Sequence, residues 1–405
     1  MSIARVMFRK CSGRICYAPN YWQWFTHHRN HGTLPAEIAR CGSQLELIRW
    51  LGLDVFSRNI YCDPTRYWFG GLAEEIWGGV EVEEHRTTDG RDIVTKKTYR
   101  NKAGTLTEQL RYRFAESTLV QEKFLLDEPA PPLEAFVALA RARRWRFRRD
   151  RFDAVQREAD CSRGAPSPRP LDARTPTERR DYNSADVSKS ESVAVVNAGE
   201  LFSPLKLLHL AAGADKAVYL LADYPELCRE AMDAHEAAQL DLVRQMCAAG
   251  VTVMTAMDNL DAMFHPPHYV EQYSASFYEK ASRICRENSA KFFIHACGQQ
   301  RALLPLIGAL GVDGLEGVAF PPLGDVALDE ALRLGGERLI ITGGISAAEF
   351  QRLTTRDAVF EYVGELFARM KPYAHRFIFS ASCNTPYTAP WQTIVWFRDA
   401  WRSLQ

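Results

Sequence analysis

Two short apolar runs in the second half of the chain close on residues able to bind a metal. Ile294-His295-Ala296-Cys297-Gly298 ends one, and Ser380-Ala381-Ser382-Cys383-Asn384 ends the other. Residues i and i+2 of a strand point to one face, so His295 and Cys297 converge, and Cys383 reaches the same point from a second strand end. An imidazole with two thiolates is a borderline-soft donor set that suits Zn²⁺, and three protein ligands with a fourth position open is the catalytic pattern. Glu316, within Leu315-Glu316-Gly317, is the candidate metal ligand for that fourth position in the resting protein. Asp258 and Asn259, after Met257, are candidate catalytic residues that orient a substrate or donate a proton; the pair reads equally as a loop-capping Asp-Asn. The other eight of the ten cysteines form no CxxC pair and read as reduced core thiols.

Such residues need strand ends gathered in one place. From Val193 onward, short runs rich in Val, Ile and Phe alternate with longer segments of helical period. The strand-like runs are Val193–Asn197, Val251–Met257, Phe292–Ala296, Gly314–Phe320, Arg338–Thr342 and Arg376–Ser380; the helix-like ones include Tyr224–Ala249, Pro267–Glu287 and Ala347–Met370. This alternation predicts parallel strands joined by crossover helices. With Leu53–Phe56 as a further strand, the economical fold is α/β, a (β/α)8 TIM barrel whose sites lie at the C-terminal strand ends; an open doubly wound sheet is the alternative. No GxGxxG follows a strand, so no dinucleotide site is expected.

The first half has another texture. Tyr21–His28 is aromatic and histidine-rich, Leu34–Leu51 has helical period, and Val80–Phe114 alternates around Asp89-Gly90 and Lys102-Ala103-Gly104 as a β-meander does. Trp22, Trp24, His27 and His28 either pack this segment on the barrel or line a pocket for an aromatic or cationic small molecule. Arg141–Arg151 holds seven arginines and reads as a solvated helix with an aromatic anchor, while Cys161–Ser192, dominated by Pro, Ser, Arg and Asp, reads as a loop or insertion. The expected organisation is an elaborated N-terminal region over 1–150 that contains the meander and the first barrel strand, an irregular insertion over 151–191, and the main barrel over 192–405. Fifty Lys and Arg balance fifty Asp and Glu, which removes the electrostatic case for nucleic acid or an anionic membrane as partner. With no apolar stretch of spanning length, the chain is expected to be cytoplasmic.

His295-Ala296-Cys297-Gly298, Gly311-Val312-Asp313-Gly314-Leu315-Glu316, Pro322-Leu323-Gly324-Asp325-Val326, Thr342-Gly343-Gly344-Ile345 and Ser382-Cys383-Asn384 with Pro386 and Pro390 together resemble the uroporphyrinogen decarboxylase superfamily. The closer resemblance, from about Ser192 to the C-terminus, is to its zinc-dependent, corrinoid-linked methyltransferase branch. It implies zinc on His295, Cys297 and Cys383, and a methyl group moved between a small methylated substrate or thiol-type acceptor and the cobalt of a corrinoid (cobalamin). Asp233-Ala234-His235-Glu236-Ala237-Ala238 has Ala where the DxHxxG cobalamin motif needs Gly, so the corrinoid is expected on a separate partner protein. The decarboxylase branch carries an Arg-rich N-terminal motif that Gly13–Trp22 lacks. A metal-free lyase of that type and a non-catalytic tetrapyrrole- or corrinoid-protein-binding barrel are the alternatives.

Overall fold

The computed structural model describes residues 14–56, 60–66, 70–127, 131–161 and 195–404. Its centre is a seven-stranded parallel sheet in the order β1-β13-β12-β11-β10-β9-β8. These strands are β1 (Cys16–Tyr17), β8 (Asn197–Leu201), β9 (Val253–Leu260), β10 (Lys291–Ala296), β11 (Gly314–Val318), β12 (Ile340–Ile345) and β13 (Phe377–Ala381). The eighth position falls to Leu53–Phe56, where Val55 alone makes a ladder bridge. The Asp54 N–H donates to the Tyr17 carbonyl at 3.0 Å and the Val195 N–H to the Val55 carbonyl at 3.0 Å, linking the two outer strands. One buried cluster draws Cys16, Phe56, Val195, Val253, Phe293, Ile340 and Ile378 from around this ring, a layer of inward side chains as a TIM-barrel-like interior requires.

Two strand expectations shift. Val193–Asn197 was read as a strand, yet β8 begins at Asn197 and runs on through Gly199 and Glu200; Val193 and Ala194 lie outside the described residues. Tyr61 holds this stretch extended, its hydroxyl donating to the Asn197 carbonyl and accepting from the Gly199 N–H. The two-residue β1 had no apolar run to announce it, and its ladder partner, β13, lies near the other end of the sequence.

The meander is a four-stranded antiparallel sheet of β3 (Glu81–Asp89), β4 (Asp92–Asn101), β5 (Gly104–Arg113) and β6 (Thr118–Lys123). The arginine-rich segment is not one helix: it ends helix Leu133–Ala142, forms β7 (Arg143–Phe147) and starts helix Arg149–Cys161. β7 pairs antiparallel with β2 (Ala73–Trp77). The acidic pair Glu74-Glu75 draws the arginines into strand pairing, Arg143 and Arg148 reaching these carboxylates at 3.4 Å and Arg146 also bonding Glu74. The irregular insertion expected over 151–191 does not begin at 151, because helix Arg149–Cys161 covers its first residues; beyond Cys161 it lies outside the described residues. Among the described residues no helix is long and apolar enough to cross a membrane.

Candidate active site

In β10 the alternation that sends Phe293 into the barrel also sends His295 inward, and Cys297 follows at the strand end. The Cys297 Sγ lies 3.2 Å from the His295 Nε2, and the Cys383 Sγ, from the loop after β13, lies 3.6 Å from the same nitrogen. All three donor atoms fall within 4.8 Å of one another, with His295 buried and both thiols half-buried. The set is compact enough for one ion, and its chemistry, one imidazole and two thiols, fits Zn²⁺.

Glu316 does not join this group. Its Oε2 lies 2.8 Å from the His295 Nδ1, on the ring nitrogen that faces away from the sulfurs. The fourth-ligand reading of Glu316 is therefore corrected to a positioning one: a carboxylate at this place is set to accept an Nδ1–H, which would leave the Nε2 lone pair toward the thiols. β10 and β11 align His295 with Glu316 in register, which sets this pair.

Backbone close approach completes the positioning. Gly317 sits at φ +93°, and a Cβ there would collide with the Ser382 carbonyl and press on the His295 ring. The Cys383 loop is stapled from the other end of the chain. The buried Asn20 amide donates to the Asn384 Oδ1 at 2.7 Å and to the Cys383 carbonyl at 3.4 Å, while the Thr385 N–H donates to the Asn20 carbonyl at 2.9 Å. Trp24 donates to the Ala389 carbonyl and His28 bonds the Tyr387 carbonyl, so the Tyr21–His28 segment packs against this same stretch.

Asp258 and Asn259 part company. Asp258 is fully buried: its Oδ1 accepts the Ser203 N–H at 2.8 Å and its Oδ2 accepts the Tyr278 hydroxyl. Burial pushes its carboxyl above the usual range, against the pull of these donors and of Lys206. Asn259 is exposed at φ +50°, where β9 carries extra residues opposite β10. Asn tolerates that left-handed backbone, and the position sets it apart from Asp258 and its partners. Asp325 accepts the Gln300 and Arg301 N–H groups and shapes the loop after β10.

Sequence reasoning passed over Asn20, Ser203, Lys206 and Tyr278. Ser203-Pro204 was the available signal for two of them, an N-cap followed by Pro at the first helical position, which begins helix Pro204–Ala212 and carries Lys206 in its first turn. Tyr278 had no local signal; a π-helical turn over Val270–Ser274 precedes its helix, Ala275–Glu287.

The uroporphyrinogen decarboxylase (URO-D) family model matches residues 186–404. Among solved structures, a methyltransferase from Methanosarcina mazei superposes with a TM-score of 0.54 at 11% identity, over 99% of this chain and 97% of that one, a likeness of fold. A D-psicose 3-epimerase from Clostridium cellulolyticum H10, solved with D-tagatose, reaches a TM-score of 0.29 at 10% identity over 52% of this chain and 76% of that one, too low to carry an argument. No curated protein matches the chain in sequence.

Proposed function

From the premise that the chain belongs to the uroporphyrinogen decarboxylase family, we propose that it is a zinc-dependent methyltransferase that works with a separate corrinoid protein. One observation carries the reading: the His295 Nε2, Cys297 Sγ and Cys383 Sγ gathered within 4.8 Å at the C-terminal ends of barrel strands. These three atoms would hold the zinc, which when bound supplies Lewis acidity, favouring the thiolate of a thiol substrate or polarising a methoxyl-type oxygen. The fold shared with the M. mazei methyltransferase agrees with this assignment.

The chain's own groups have defined tasks in it. Glu316 keeps the proton on the Nδ1 of His295, so that the Nε2 stays a donor. Asp258, fixed by Ser203 and Tyr278, carries a carboxyl that burial inclines toward holding a proton, available to a substrate near Lys206. Met263 and Phe264, in the loop after β9, and Leu323, after β11, expose apolar side chains on the strand-end side of the barrel, a surface suited to a protein partner that brings the cobalt. The lyase alternative is weakened at its distinguishing motif: Arg14 is spent stacking on Trp401 at 4.7 Å, leaving no arginine cluster among the described N-terminal residues of the 13–22 stretch.

Metal analysis of the purified protein tests the reading. About one zinc per chain in the wild type, lost in Cys297→Ala and Cys383→Ala, supports it; a metal-free wild type overturns it. With zinc present, conversion of a methyl-Co(III) corrinoid protein to Co(I) on addition of a thiol acceptor, followed by its visible spectrum, separates a transferase from a non-catalytic barrel.

A further inference from the structure

Electrostatically linked to Cys297 through Lys206 is a group of nitrogen donors that the proposed metal chemistry leaves unused. Lys206 and His209 lie three residues apart on helix Pro204–Ala212, a spacing that puts both on one face. His265, in the loop after β9, brings its ring to 4.7 Å from that of His209. His265 is 2% exposed, and neither of its ring nitrogens makes a well-formed hydrogen bond among the described residues, the Asp261 carbonyl being the one backbone acceptor that acts on the ring.

The charges make the cluster more pointed. Burial holds both rings neutral near pH 7, pushing His209 down to about 4 and His265 well below its ordinary value, with the Lys206 charge adding to the effect. Each neutral ring has one N–H to donate. The Lys206 ammonium, half-buried and itself lowered by desolvation, has no hydrogen-bond or ion-pair partner among the described residues. It feels the Asp258 carboxyl and the Cys297 thiol. Asp258 accepts from Ser203 and Tyr278, and among the described residues no carboxylate lies within ion-pair distance of the ammonium. A desolvated cation beside an unpartnered buried ring nitrogen is an arrangement that a bound anion completes.

We infer that Lys206, His209 and His265 form a subsite for the carboxylate of a small organic acid, which is thereby held beside Cys297. With both imidazoles neutral, the subsite offers a single positive charge and so matches a monoanion better than a phosphate dianion. The inference deepens the proposed methyltransferase reading, because it gives the small substrate an anionic handle, but binding at the subsite needs neither zinc nor turnover.

The test is calorimetric titration of propanoate, inorganic phosphate and 1-propanol into zinc-loaded and metal-free protein. Propanoate is expected to bind both forms of the wild type and to outcompete phosphate, with 1-propanol giving no signal. Lys206→Met is expected to weaken propanoate about 10-fold or more and Lys206→Arg to preserve it within about 3-fold, as a charge-assisted hydrogen bond predicts. His209→Gln, a milder change, is expected to weaken it about 3-fold and guards against a folding defect in Lys206→Met. Equal propanoate affinity in wild type and Lys206→Met, no propanoate binding to wild type, tighter phosphate than propanoate, or equal binding of 1-propanol would each overturn the inference. Lys206-dependent propanoate binding in a protein that holds no zinc would sink the proposed function and leave the subsite standing.

Discussion

The two sides of the barrel mouth manage their polar groups in opposite ways. Along β10, β11 and the loop after β13, each group is matched: His295 with Glu316 on one nitrogen and with two thiols toward the other. Along β8, β9 and helix Pro204–Ala212, burial dominates instead. It raises Asp258 and Glu200 even though both accept hydrogen bonds, lowers Lys206 and His209, and leaves the His265 ring nitrogens without a well-formed hydrogen bond, so that unmet capacity is concentrated on Lys206, His209 and His265. Pairing fixes geometry, which a metal site needs. Desolvation without pairing stores unmet hydrogen-bonding capacity, which suits a site that is filled only when substrate arrives.

If this contrast is right, variants on the two sides separate cleanly. The largest difference is expected between Cys383→Ala, which abolishes zinc retention through dialysis, and Lys206→Met, which leaves zinc content at the wild-type level; loss of zinc in both would erase the distinction. On the paired side, Glu316→Gln keeps the shape but removes the charge behind His295. A 10- to 100-fold weaker zinc affinity, of the order seen for partners behind ligands, is expected in chelator competition.

On the desolvated side, Glu200 gives a stability signature. Its carboxylate accepts the Gly71, Leu72 and Ala73 N–H groups, yet burial raises its pKa to about 7. The folded state therefore holds this proton more tightly than the unfolded chain does. The stabilisation is full below the ordinary value of 4.5 and is lost as pH rises to about 7. That amounts to at most roughly 3 kcal/mol, at about 1.4 kcal/mol per pKa unit. Denaturant melts from pH 4.5 to 7 should show this downward slope in the wild type, and Glu200→Gln should flatten it. The smallest effect is expected for Asn20→Ala: a loosened Cys383 loop with zinc affinity reduced by about 10-fold or less, one hydrogen-bonding side chain being lost.

The legibility of the molecule in its sequence follows the same division. His295 and Cys297 were readable because strand periodicity is local, and Cys383 because it too closes an apolar run. Glu316 was found but misplaced, since only the register between β10 and β11 shows which edge of the imidazole it meets. Lys206, His209 and His265 escaped notice because desolvation is a property of the packed mouth and leaves no trace in spacing. Asn259 was grouped with Asp258 on adjacency alone, whereas a bulge in β9 gives the two neighbours opposite environments. The arginines of β7 showed a similar limit: their strand became evident only with the acidic partner Glu74-Glu75, distant in sequence.

The staple from Asn20 to the Cys383 loop makes the donor set a record of assembly. His295 and Cys297 are neighbours from the moment β10 exists, whereas the third donor, carried past β12 by β13, gains its last hydrogen bonds only when residues near the two ends of the chain have met across the β1–β13 seam. A barrel open at that seam leaves the Cys383 loop without its Asn20 anchor, so an ion there would be held by a looser third ligand and exchange more readily. On the proposed reading, tight zinc uptake would mark the moment this seam shuts, and the rate of metal capture during refolding would be a clock for that event.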